Sequence, residues 1–163
     1  MLGKPSVFLR VAAVATFVQA VAHTIGGVYG DPPPGPGAAA VQAMKANRFP
    51  LMGNTRSYWD FYHGFGLGIT ISLAAEAVVF WLLGSLAKND ARRLRPILAT
   101  FFLAYAALGV VSEAYFFPGP VIAEIFITAC LGLALFTAQS PTTASTAPPG
   151  ALSRIATPSR RCP

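Results

Sequence analysis

The chain has 163 residues, 54% of them hydrophobic and only 11% charged, with a net charge of +6. An average soluble domain is about 25% charged, so polar surface is too scarce here to cover a soluble core. No basic run is interleaved with exposed aromatics, which argues against a nucleic-acid partner. Cys130 and Cys162 make neither a disulfide framework nor a zinc-type spacing.

The apolar residues are gathered into four long runs, and this pattern reads as an all-α, four-helix transmembrane bundle over residues 1–138. The first helix covers about 7–29. Its start is basic, with Lys4 and Arg10. Ala20-Val21-Ala22 resembles a signal-peptidase site, so cleavage before His23 stands as a rival reading. The following loop opens on Asp31-Pro32-Pro33-Pro34-Gly35-Pro36-Gly37, which is stiff and non-helical. Ala38 to Arg48 suits a short helix lying at the membrane interface. The loop that follows either folds back over the outer mouth of the bundle as a lid or headgroup-contacting edge, or is a solvated link with interfacial anchors, and it leads into the second helix, about 58–86. Tyr58, Trp59, Phe61 and Tyr62 would form an outer aromatic belt there, and Trp81 suits the inner one.

Pro96 opens the third helix, about 96–117, and Pro120 the fourth, about 120–138. Proline in a first helical turn loses no needed hydrogen bond. The tail, 139–163, is rich in Pro, Thr, Ser and Ala and is expected to be disordered. The link 88–95 carries Lys88, Arg92, Arg93 and Arg95 against one Asp90, while Phe116-Phe117-Pro118-Gly119-Pro120 carries no charge. The positive-inside rule then puts both termini and the 88–95 link in the cytoplasm.

Each apolar run holds an ionisable residue: His23; Asp60 with His63; Glu113; and Glu124. Charge at a helix centre in a bilayer costs roughly 2.5–3.5 kcal/mol, so such residues have a reason to be there. Counted at 1.5 Å per residue, His23, His63, Glu113 and Glu124 lie ~6–9 Å below the outer boundary, and Asp60 lies one turn above His63. Glu76 is the exception, near mid-bilayer. Gln19 shares a polar stripe with Thr16 and His23. Tyr105, Gly109, Ser112 and Glu113 line up in the third helix, and Glu124, Thr128 and Gly132 in the fourth. Such stripes face a bundle interior.

These residues define a candidate outer-leaflet pocket of His23, Asp60, His63, Glu113, Glu124 and Gln19. Its ligand would be a small amphipathic molecule or membrane lipid. Alternatively, the same imidazoles and carboxylates supply acid–base chemistry on a lipid-soluble substrate, as in an isomerase or cyclase. A proton-coupled carrier and a structural bundle also remain open, as does a homo-oligomer. Arg48 and Arg56 are candidate contacts to lipid phosphate. The spacings support no metal site and imply no cofactor.

The string Arg48-Phe49-Pro50-Leu51-Met52-Gly53-Asn54-Thr55-Arg56-Ser57-Tyr58-Trp59-Asp60-Phe61-Tyr62-His63-Gly64-Phe65-Gly66 resembles a signature of a family of small bacterial membrane proteins without an established activity. Ala22-His23-Thr24 with Gly26, and Tyr115-Phe116-Phe117-Pro118 with Pro120, fit the same pattern. The resemblance implies four helices and a bacterial inner membrane, and it carries no catalytic role. The chain is similar only in helix number to DoxX-like membrane proteins.

Overall fold

A computed structural model describes residues 4–138; the expected tail lies outside the described residues. The protein is mostly helical. Helix α1 spans Pro5–Ala22, with Pro5 in the first turn, and runs on into a π-helical turn, His23–Val28. The Tyr29 N–H closes that turn on the Thr24 carbonyl at 3.0 Å. Gly30 follows, where a Cβ would run into the Gly26 carbonyl, so the exit from the turn admits only glycine.

A short helix α2, Pro36–Ala46, leads into two strands, β1 (Arg48–Leu51) and β2 (Asn54–Ser57). They pair antiparallel, Arg48 opposite Ser57 and Leu51 opposite Asn54. This hairpin stands where the sequence suggested an irregular link. Its two-residue turn has positive φ at both positions, 47° at Met52 and 78° at Gly53, the sense that matches the twist of paired strands. Phe49 ties the hairpin to the next helix by packing on Tyr58 and Phe61, with ring centroids 5.0 and 5.9 Å away.

Helix α3 spans Tyr58–Asp90, one turn longer than the apolar pattern suggested. A 3₁₀ turn, Ala91–Leu94, ends it, held by the Arg93 N–H donating to Asp90 at 3.3 Å and an Arg93–Asp90 ion pair at 2.9 Å. Helix α4 follows at Arg95–Tyr115, and α5 at Pro118–Thr137. The start of α5 falls at Pro118 rather than Pro120, because Phe117 already has the extended backbone of a cap.

The helices run up and down. Val28 and Tyr29 meet Gly66 and His63, whereas Leu9 and Arg10 meet Gly84, so α1 and α3 are antiparallel. Phe80 meets Phe101, and Glu76 meets Tyr105, so α3 and α4 are too. Phe102 lies on Gly132, and α1 packs against both α3 and α5. The order around the bundle is α3, α1, α5, α4. Leu9, Phe80, Leu98, Tyr105, Ile127 and Leu131 form the centre of its core.

Three stretches among the described residues are long and apolar enough to cross a membrane: Pro5–Val28, Tyr58–Tyr115 and Pro118–Thr137. The second comprises α3 and α4 with the 3₁₀ turn between them. Large apolar side chains project outward along all four long helices, among them Val14, Phe17, Ile71, Leu82, Leu103, Val110, Ile122 and Phe136.

Candidate functional site

Helix α3 begins with a reciprocal cap, and this fixes Asp60. The Asp60 N–H donates to Ser57 Oγ at 3.2 Å, and the Ser57 N–H donates to Asp60 Oδ2 at 2.7 Å. Both satisfy backbone donors that the first turn would leave open. Asp60 is therefore committed to its own helix start and makes no hydrogen bond to His63. The His63 ring instead lies between Tyr29 and Trp59, centroids 5.5 and 6.0 Å away, and its buried Nδ1 has no partner among the described residues. An acid–base pair of Asp60 with His63 is not formed.

Two adjoining shallow clefts open at this end of the bundle. One, of about 310 Å³, is lined by Arg56, Trp59, Asp60, His63 and Gly64. The other, of about 300 Å³, shares Arg56, Asp60 and Gly64 and adds Phe61 and Phe65. One side is thus polar and the other aromatic. Arg56 and Arg48 both reach the Thr55 carbonyl, at 3.4 and 3.5 Å, and neither forms an ion pair among the described residues. Lys45 of α2 sits over the Trp59 ring at 4.7 Å. Arg56 and the Asp60 carboxylate line both clefts; Lys45, over Trp59, and Arg48 line neither.

His23 lies deeper, on the α1–α3 seam. Its Nε2 donates to the Gly66 carbonyl at 3.1 Å, which requires the proton on Nε2. Gly66 also accepts from Thr70, and Thr24 and Thr70 are 3.0 Å apart. His23 and His63 therefore lie on one seam, one helical turn apart along α3, each with its own neighbours.

A second polar region occupies the bundle centre. Tyr105 is 1% exposed, and its hydroxyl donates to Glu76 Oε2 at 2.5 Å. Thr16 faces the same hydroxyl from α1, and Glu124 lies within electrostatic reach from α5. Ser112, buried one face over on α4, stands beside Glu124. Yet Thr16 Oγ1, Gln19 Oε1, Glu124 Oε2 and Thr128 Oγ1 are buried atoms that meet no partner at hydrogen-bond geometry among the described residues. Glu113 shares the level of Glu124 but points outward and is exposed.

The structure thus brings His63, Asp60 and Arg56 to one mouth, and Glu124 and Gln19 to the interior; His23 lies on the seam and Glu113 outside. The sequence set Glu76 apart from the candidate pocket, as a carboxyl that pairs with a neighbouring polar side chain or is neutral, and put Tyr105 on an inward stripe; the structure joins the two. No group of three or more His, Cys, Asp or Glu able to hold a metal occurs among the described residues. In comparison with known proteins, no family model, no curated protein and no solved structure matches the chain.

Proposed function

We propose that the chain is an integral membrane protein, a four-helix bundle with both termini in the cytoplasm. At its hairpin end, in the outer leaflet, it binds the polar head of a lipid or small amphipathic molecule. The observation that carries this reading is the paired cleft. Arg56 and His63 offer donors for an anionic head, while Phe61 and Phe65 offer an apolar wall for its chain. Trp59 and the exposed Tyr58 and Tyr62 suit a headgroup depth. The four cations of the 88–95 link, at the opposite end, support the orientation. A bacterial inner membrane is the location that the sequence resemblance implies.

The test is lipid retention by the purified protein in native mass spectrometry. Phosphatidylglycerol should be kept in preference to phosphatidylcholine. A basic residue near an anionic surface contributes about 1 kcal/mol, or roughly fivefold in affinity. Arg48→Gln with Arg56→Gln should therefore weaken phosphatidylglycerol binding by about 25-fold. Equal retention by wild type and double variant contradicts the reading.

A further inference from the structure

Helices α3 and α4 follow each other in the chain, but their facing stripes close only in the half near the 91–94 turn. On α3, Leu83, Glu76 and Ile69 are spaced by seven and so share one stripe. Leu83 is 6% exposed, Glu76 accepts a hydrogen bond from Tyr105 of α4, and Ile69 is 47% exposed. On α4, Phe101, Leu108 and Tyr115 have the same spacing. Phe101 packs edge-on against Phe80 of α3, whereas Leu108 is 43% exposed and Tyr115 more so. The Glu76–Tyr105 bond sets the antiparallel register and puts Ile69 and Leu108 about one turn apart in level. The two stripes therefore meet as far as Glu76 and Tyr105 and part beyond them, toward the hairpin. Over that stretch α3 stays on α1: Val28 meets Gly66, and Thr24 and Thr70 are 3.0 Å apart. The groove opens on the α4 side.

This groove has a top and a floor. Phe65, one turn above Ile69 on α3, also lines the aromatic side of the cleft, so groove and cleft are continuous. The floor is the Glu76–Tyr105 pair, with Phe80 beneath it. From Phe65 to Glu76 the helix rises about 16 Å, and one leaflet of a hydrocarbon core ~30 Å thick is about 15 Å. A spanning helix of another chain would need a face open across the whole core, and this one is closed at mid-length. An extended acyl chain fits the length, the apolar walls and the single open end.

We propose that the groove between α3 and α4 holds an acyl chain of the lipid whose head occupies the cleft. The ligand is then a full-length anionic phospholipid and not a short amphipathic molecule. This rests on the reading of the cleft as a headgroup site in the outer leaflet. Ile69 and Leu108 form the two walls, and the small, exposed Ser72 leaves room beside the floor.

The experiment is native mass spectrometry of the full chain in detergent. Dioleoyl phosphatidylglycerol, dioleoyl phosphatidylcholine and dihexanoyl phosphatidylglycerol are offered at equal concentration. The wild type should retain dioleoyl phosphatidylglycerol and lose the dihexanoyl form. Ile69→Trp and Leu108→Trp fill the groove from either wall, and each should lower that retention by about tenfold, the scale of an overpacked contact. Ile71→Trp, at an exposed position on the opposite side of α3, should leave it unchanged. Ser72→Leu adds less bulk and serves if tryptophan prevents folding. Wild-type retention in the groove variants, or equal retention of the dihexanoyl form, overturns the groove and leaves the headgroup cleft standing. An equal loss in Ile71→Trp also overturns it, by assigning the effect to the surface at large. If the wild type holds both dioleoyl lipids alike and the groove variants hold neither, the headgroup reading fails and the groove stands.

Discussion

Gly84→Leu should destabilise the bundle by about 2 kcal/mol or more, whereas Gly84→Ala should be close to neutral. Gly84 is a close approach of α3 to α1. A Cβ placed there lies 3.2 Å from Arg10 Cγ, 3.3 Å from the Ser6 carbonyl and 3.4 Å from Leu9 Cβ. A single methyl asks these neighbours to give by a few tenths of an ångström. Against that, alanine is better than glycine in a helix by about 1 kcal/mol. The two effects offset each other. A leucine adds three further carbons against a backbone carbonyl that cannot rotate away, so α1 must move off α3. The Arg10 guanidinium, 5.0 Å above the Trp81 ring, would lose its seat at the same time. Thermal unfolding of the two variants in detergent checks this, and equal Tm values for them would show that the seam is not close-packed.

Tyr105→Phe should have a comparable effect for a different reason. The substitution keeps the ring and its packing on Phe80 but removes the donor from Glu76. A buried acceptor that loses its donor costs about 1–3 kcal/mol, more when charged. Bonds between membrane helices are weaker on average, about 0.6 kcal/mol in double-mutant cycles and up to about 1.7. A loss of roughly 1.5 kcal/mol is expected, at the upper end, because Tyr105 is almost wholly buried. Removing both partners should recover most of it. Glu76→Leu in the Tyr105→Phe background is therefore expected to be more stable than Tyr105→Phe alone. If Tyr105→Phe costs the same with Glu76 or Leu at position 76, the bond between them carries no stability.

Much of the fold was legible because apolar runs and prolines speak directly about helices. Four runs gave four long helices, and their ends moved by a turn or less. The hairpin at 48–57 was not legible. Pro50 breaks the alternation of a strand, and Met52, a bulky residue at positive φ, hides the turn that Gly53 alone suggests. The π-helical turn at His23–Val28 leaves no mark beyond its paired glycines.

Counting residues gives depth along a helix and not the direction in which a side chain points. Ser112 and Glu113 differ by about 100° around α4, so one is buried beside Glu124 and the other exposed. Asp60 shows a further limit. It shares a face with His63 at i and i+3, but the open N–H groups of its own first turn compete for the carboxylate and win. Glu76 had no partner visible in the sequence, since Tyr105 comes from the next helix and only the antiparallel register brings it near.

The most direct test of a membrane bundle with cytoplasmic termini is cysteine labelling from one side. Cys130 and Cys162 are first replaced by alanine, and a single cysteine is placed at Met52 or at Asn89. Met52 is 95% exposed at the tip of the hairpin, and Asn89 is exposed at the far end of α3. With a membrane-impermeant maleimide on intact cells, position 52 should label at once and position 89 only after permeabilisation. Labelling of position 89 in intact cells, or equal labelling of both positions, would contradict the proposed orientation and the outer-leaflet site that depends on it.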